Sequence, residues 1–120
     1  MAKQIVVQKF GGTSVGSPEK IKAIKPKGVI LSGGPESVTK LNTPRVPEII
    51  FQLDIPILGI CYGMQTLAEQ FGGQVSRSEA KEFGHAEIHI EEPSLLFDGF
   101  SSGSSIDVWM SHGDHVSILP

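Results

Sequence analysis

Three short apolar runs, Gln4-Ile-Val-Val-Gln-Lys-Phe10, Gly28-Val-Ile-Leu-Ser32 and Ile57-Leu-Gly-Ile60, divide the first half of the chain. Their length and β-branched content mark strands, and the last two are continuously apolar, as in strands buried on both faces. Between them the apolar positions move to helical spacing. Ser17-Pro18-Glu19 is a helix start, with a capping hydroxyl, proline at the first helical position and an acid near the positive end. Ile21 and Ile24 share one face of that helix, and Lys25-Pro26 closes it. The 17 residues between Phe10 and Gly28 suffice for a βαβ crossover, which needs about a dozen. Pro47 opens a second helix with Ile49, Ile50 and Leu53 as its stripe, ending near Asp54-Ile55-Pro56. Met64 to Phe71 is a third, with Leu67, Ala68 and Phe71 at helical spacing and Gly72 as its cap.

Beyond Gly73 the texture changes. Phe83-Gly-His-Ala-Glu-Ile-His-Ile90 alternates, which suits a half-exposed antiparallel strand. Ser101 to Ser105 is a loop, and Ile106 to Met110 another strand, in which Trp109 reads as core packing. Ser111-His-Gly-Asp114 reads as a turn. Strands and helices alternate early and strands follow late. The fold class is therefore α/β: an open, mostly parallel sheet with helices on both faces and a β-rich C-terminal flank, in one domain over 1–120.

Composition narrows the class further. An apolar share of 39% is globular, and no apolar stretch approaches the roughly 20 residues of a membrane span. Nothing resembles a signal peptide, and the single cysteine excludes an internal disulfide, which points to a reducing cytoplasm. The net charge of −3 is unevenly spread. Residues 1–81 hold all ten Lys and Arg against six acids, a balance of +4, whereas residues 82–120 hold seven acids and neither Lys nor Arg. The acidic end is either a solvated surface or the counterpart of a basic segment elsewhere. Neither part has the dense basic face of a nucleic-acid binder.

Candidate chemistry centres on the lone thiol. Gly59-Ile-Cys61-Tyr-Gly63 has the G-x-nucleophile-x-G form of an elbow between a strand and a helix. Such a turn pushes the nucleophile into solvent, and the helix N-terminus beneath it favours thiolate over thiol. The Tyr62 amide would then face the oxygen of a carbonyl under attack. The alternative is a buried, inert cysteine beside capping glycines. Ser32-Gly33-Gly34-Pro35 ends another strand, so Gly34 is either a second oxyanion donor or part of an ordinary turn. His85, Glu87 and His89 on one strand, with His112, Asp114 and His115, suggest a metal site or plain polar positions. Imidazoles four residues apart on a strand stand about 13 Å apart, too far to share one ion. No metal or cofactor site is assigned.

Residues 25–120 resemble the class I glutamine amidotransferase domain of the GMP synthase family. The resemblance rests on KPKGVILSGGPESV, PILGICYGMQTLAEQFGG, EFGHAEI, LFDG and DVWMSHGDHVSILP, in that order. It implies a flavodoxin-like core that hydrolyses glutamine and passes ammonia to a synthetase (ATP pyrophosphatase) domain or subunit. There ATP, with Mg, activates XMP for conversion to GMP. By the same resemblance Cys61 is the nucleophile that forms a γ-glutamyl thioester, and Gly34 and Tyr62 are the oxyanion donors. Gln65 contacts glutamine, and Ser111 and His112 hold the substrate backbone. The family completes its triad with a His-x-Glu pair well downstream of the position matching Pro120. The chain is thus expected to be a truncated domain, inactive or very slow alone, with His112 and His115 the nearest candidate bases.

The N-terminus departs from that pattern. IVVQKFGGTSVG, Ile5 to Gly16, resembles the opening of aspartokinase, in which Lys9, Gly11, Gly12, Thr13 and Ser14 would face the phosphates of ATP. Residues 1–24 then act as the first βα unit of a composite chain. Three functions follow as alternatives: a glutaminase part, a non-catalytic or engineered α/β scaffold that keeps the elbow, and an aspartokinase-like nucleotide binder. A shortened sheet also leaves edges and apolar faces uncovered, so the isolated chain is expected to be marginally stable or self-associating.

Overall fold

A computed structural model of the chain describes residues 6–7 and 17–120. The expected first strand and the Lys9 to Ser14 phosphate turn lie outside the described residues, apart from Val6 and Val7, which are exposed.

Helix α1 (Pro18–Ile24) begins as its sequence dictates. Ser17 is the N-cap and its hydroxyl accepts from the Lys20 amide, while Lys25 ends the helix in the left-handed region. The Glu19 carboxyl is held below its ordinary range by a hydrogen bond from its own amide and then by one from the Ser17 hydroxyl. A depressed carboxyl stabilises above its ordinary range, and that contribution is lost as the pH falls through it.

Strands β1 (Val29–Leu31) and β2 (Ile57–Gly59) pair in parallel, with Val29 opposite Ile57 and Leu31 opposite Gly59. Short helix α2 (Glu48–Phe51) lies in the crossover between them, and α3 (Tyr62–Gln70) follows β2. Ile21, Val46, Ile49 and Ile50 form the main core cluster, against which Val29, Leu31, Ile57 and Leu67 pack. The Phe71 ring meets Phe51 edge-on at 5.0 Å. Gly72 follows α3 with φ +93 and donates its amide to the Glu69 carbonyl, the capping role that its position suggests.

The two strands are half-buried rather than buried on both faces. Their inward positions alternate with Ile30, 62% exposed, and Leu58, 38% exposed. An open apolar sheet face predicts association. Sedimentation across a hundredfold range of concentration should show the weight-average mass rising, and a monomer throughout would refute it.

Strands β3 (Gln74–His89) and β4 (Ser105–Ile118) form an antiparallel ribbon, with a 3-10 turn, Leu95–Phe97, in the connection. Two expectations are corrected here. Ser111 to Asp114 is not a turn but continues β4, with Ser111 opposite Phe83 and His112 opposite Glu82. Trp109 is not core but 77% exposed, because among the described residues nothing covers the outer face of the two-stranded ribbon on its side. A smaller cluster, Val38, Ala68 and Val75 with Tyr62 and Val116 against it, joins the ribbon to α3. The whole is a mixed α/β fold: a parallel sheet with helices, and a β-rich flank.

Candidate active site

The corner between β2 and α3 is built by glycines that leave no room for a side chain. A Cβ on Gly63 would stand 2.2 Å from the Leu31 carbonyl oxygen, and one on Gly59 would stand 2.8 Å from the Met64 amide nitrogen and Cα. The helix start can therefore press onto both strands only with glycine at these two places. Between them Cys61 takes φ 51 and ψ −115. Lys25, Asn42 and Asp54 also have positive φ, but the ψ of Cys61 falls outside the left-handed helical well. It is close to the mirror image of ordinary extended backbone, which L side chains avoid. The thiol is free and exposed at the N-cap of α3. This answers the choice left open above between an exposed and a buried cysteine.

Tyr62, first residue of α3, has no carbonyl four residues back within the helix for its amide to bond. Its hydroxyl donates to the Pro44 carbonyl at 2.6 Å. Gly33, just past β1, lies against the cysteine: a Cβ there would be 3.3 Å from the Cys61 Cβ and 3.9 Å from its Sγ. Gly34 faces open space, with nothing within 4 Å of a Cβ placed on it. The loop after β1 thus approaches Cys61 through Gly33, with Gly34 the next residue along it.

Gln65 is buried, and its Nε2 donates to the Asp114 carbonyl at 3.0 Å. This ties the first turn of α3 to β4, the strand that also carries Ser111 and His112. Ser111 is exposed and His112 half-buried on β4. Among the described residues no histidine is hydrogen-bonded to Cys61. His85 Nε2 pairs with Asp107 at 2.8 Å, and His89 with Ser105 and Glu87, all on the exposed face of the ribbon.

Several residues that hold the site carry no local signal in the sequence. Gln70 clasps the main chain of Val46, accepting its amide at 2.8 Å and donating to its carbonyl at 3.0 Å. Ser37 donates to the Asp114 carboxylate across 77 positions of sequence. Only chain folding reveals such pairs.

The family model for class-I glutamine amidotransferases matches residues 3–120, and so takes in the segment that resembles aspartokinase. Among curated relatives, the GMP synthase of Edwardsiella ictaluri is 49% identical over 110 residues, covering 87% of this chain and 21% of its own length. That of Teredinibacter turnerae is 52% identical over 108 residues, covering 85% of this chain and 21% of its own. That of Coxiella burnetii is 53% identical over 108 residues, with the same shares. The chain thus spans about a fifth of the curated relatives it matches. A crystal structure from Thermoplasma acidophilum, described as that of a GMP synthase subunit, superposes with a TM-score of 0.60 at 32% identity. The match covers 78% of this chain and 47% of that one.

Proposed function

Because the chain belongs to the class-I glutamine amidotransferase family, we propose that it is the glutaminase part of a GMP synthase-like enzyme, with Cys61 as its nucleophile. Four steps make up the reaction. The Cys61 sulfur attacks the side-chain amide carbon of glutamine, and its proton passes to a base. The oxygen of the tetrahedral intermediate gains negative charge and accepts hydrogen bonds from the Tyr62 and Gly34 amides. Collapse of the intermediate, with a proton returned to nitrogen, breaks the carbon–nitrogen bond and releases ammonia. Water then hydrolyses the γ-glutamyl thioester to glutamate and restores the thiol.

Ammonia would go to a synthetase domain or subunit, where ATP and Mg serve the conversion of XMP to GMP. The glutaminase step itself needs no cofactor. Ser111 and His112 would hold the substrate backbone. The lone exposed thiol suits the cytoplasm.

The observation that carries this reading is the Cys61 backbone, held at φ 51, ψ −115 between two glycines with its thiol exposed. Strain of that kind persists where the surrounding structure enforces it, and it is the signature of a nucleophile elbow. A γ-diazoketone analogue of glutamine should label Cys61 faster than it labels free cysteine, and glutamine should protect. Labelling no faster than free cysteine, read by intact mass, would sink the assignment.

No histidine is bonded to Cys61 among the described residues, so the 120-residue chain is expected to turn glutamine over slowly or not at all unaided. The same observation favours a second reading, a glutamine-binding module without turnover. Calorimetric binding of glutamine combined with no selective labelling would select it.

A further inference from the structure

Asp114 sits on β4 at 9% exposure, and a carboxyl removed from water needs partners. Its side chain accepts from the Ser37 hydroxyl, and its main-chain carbonyl accepts from Gln65. One residue therefore joins the loop after β1, the first turn of α3 and the ribbon.

Ser37 has a single hydroxyl hydrogen, which goes to Asp114, so Thr39 must donate into the same oxygen. It does so from its Oγ1 at 2.8 Å and its amide at 3.4 Å. The next residue, Val38, is 2% exposed and packs with Ala68 and Val75. Four residues before Ser37 is Gly33, the residue that lies against Cys61. Among the described residues, the Ser37–Asp114 bond is the only side-chain hydrogen bond from residues 32–37 to α3 or β4. The rest of that segment is exposed and contains two consecutive glycines.

We propose that Ser37 is a positioning residue: its bond to Asp114 latches the Gly33–Gly34 loop against the elbow, so that the Gly34 amide stands where the oxyanion forms. The proposal rests on the glutaminase reading above. An oxyanion donor acts only within a fraction of an ångström of its place, whereas the thiol is already exposed with the loop in place. Loss of the latch therefore slows labelling by a diazoketone, whose ketone oxygen must seat against the donors while sulfur bonds to the diazo carbon, that carbon takes the thiol proton and dinitrogen leaves. It spares displacement of iodide from iodoacetamide, which needs no such seat.

The test compares two reagents on the full 120-residue chain. For Ser37→Ala, labelling of Cys61 by the γ-diazoketone analogue should fall by about tenfold to a hundredfold, while alkylation by iodoacetamide keeps its rate. Ser37→Thr retains the hydroxyl and should restore the diazoketone rate. Diazoketone labelling of Ser37→Ala within about twofold of the parent would overturn the latch. Both rates falling together, along with the melting temperature, would show a purely structural role and overturn it too. If the parent itself shows no selective labelling, the glutaminase reading fails and takes this proposal with it.

Discussion

Cys61→Ala is expected to abolish thioester formation. With a synthetase partner present, glutamine-dependent product formation should drop by about 10^4-fold or more, as removal of a covalent nucleophile does. Ammonia supplied in solution should still support the synthetase step, which isolates the defect to glutamine hydrolysis. Retention of more than about 1% of glutamine-dependent turnover would remove Cys61 from the mechanism. The same position carries a stability prediction of opposite sign. Cys61→Gly should raise the melting temperature, because glycine adopts φ 51, ψ −115 without the strain imposed on a residue with a Cβ. The expected gain is about 1 kcal/mol. Activity and stability thus pull apart at one residue, and a destabilised Cys61→Gly would contradict the strained elbow.

Gly63→Ala is expected to have the largest effect on stability. The new methyl would stand 2.2 Å from the Leu31 carbonyl oxygen, 2.6 Å from the carbonyl carbon and 2.7 Å from the Leu31 Cβ. Two of these three atoms are backbone, so no rotamer change relieves the overlap. Either β1 or α3 must shift, at a cost of about 3 kcal/mol or more, and the melting temperature should fall by roughly 10 °C or the cooperative transition should vanish. Gly34→Ala is the control: its methyl meets nothing within 4 Å and its melting curve should match the parent's. Equal melting of parent and Gly63→Ala, followed by far-ultraviolet circular dichroism, would show that α3 does not press on β1 as described.

The features that local chemistry enforces were readable from residue order. Ser17-Pro18 caps and opens α1, because a hydroxyl and a proline at those places suit an N-terminus with unbonded amides. Gly59-Ile-Cys61-Tyr-Gly63 predicted a tight strand-to-helix corner, and the steric reason appears in the contacts that a Cβ would make at each glycine. Reading failed where the answer depends on what lies across a gap. Trp109 alternates with Val108 and Met110, and alternation tells which residues share a face but not which face is covered. Ser111-His-Gly-Asp114 has the residue types of a turn, yet pairing with Phe83 and its neighbours holds it extended.

By itself, then, the sequence determined most of the described elements and the glycine corner around Cys61, since caps, glycine sterics and apolar spacing act over a few residues. Tertiary structure alone decided that Gly33 lies against Cys61 and that Gln65 is spent on the Asp114 carbonyl. It alone decided that Ser37 meets Asp114 across 77 positions. Contacts of that separation depend on how β1, α3 and β4 are brought together, and closing such long loops is a property of the whole chain rather than of any motif.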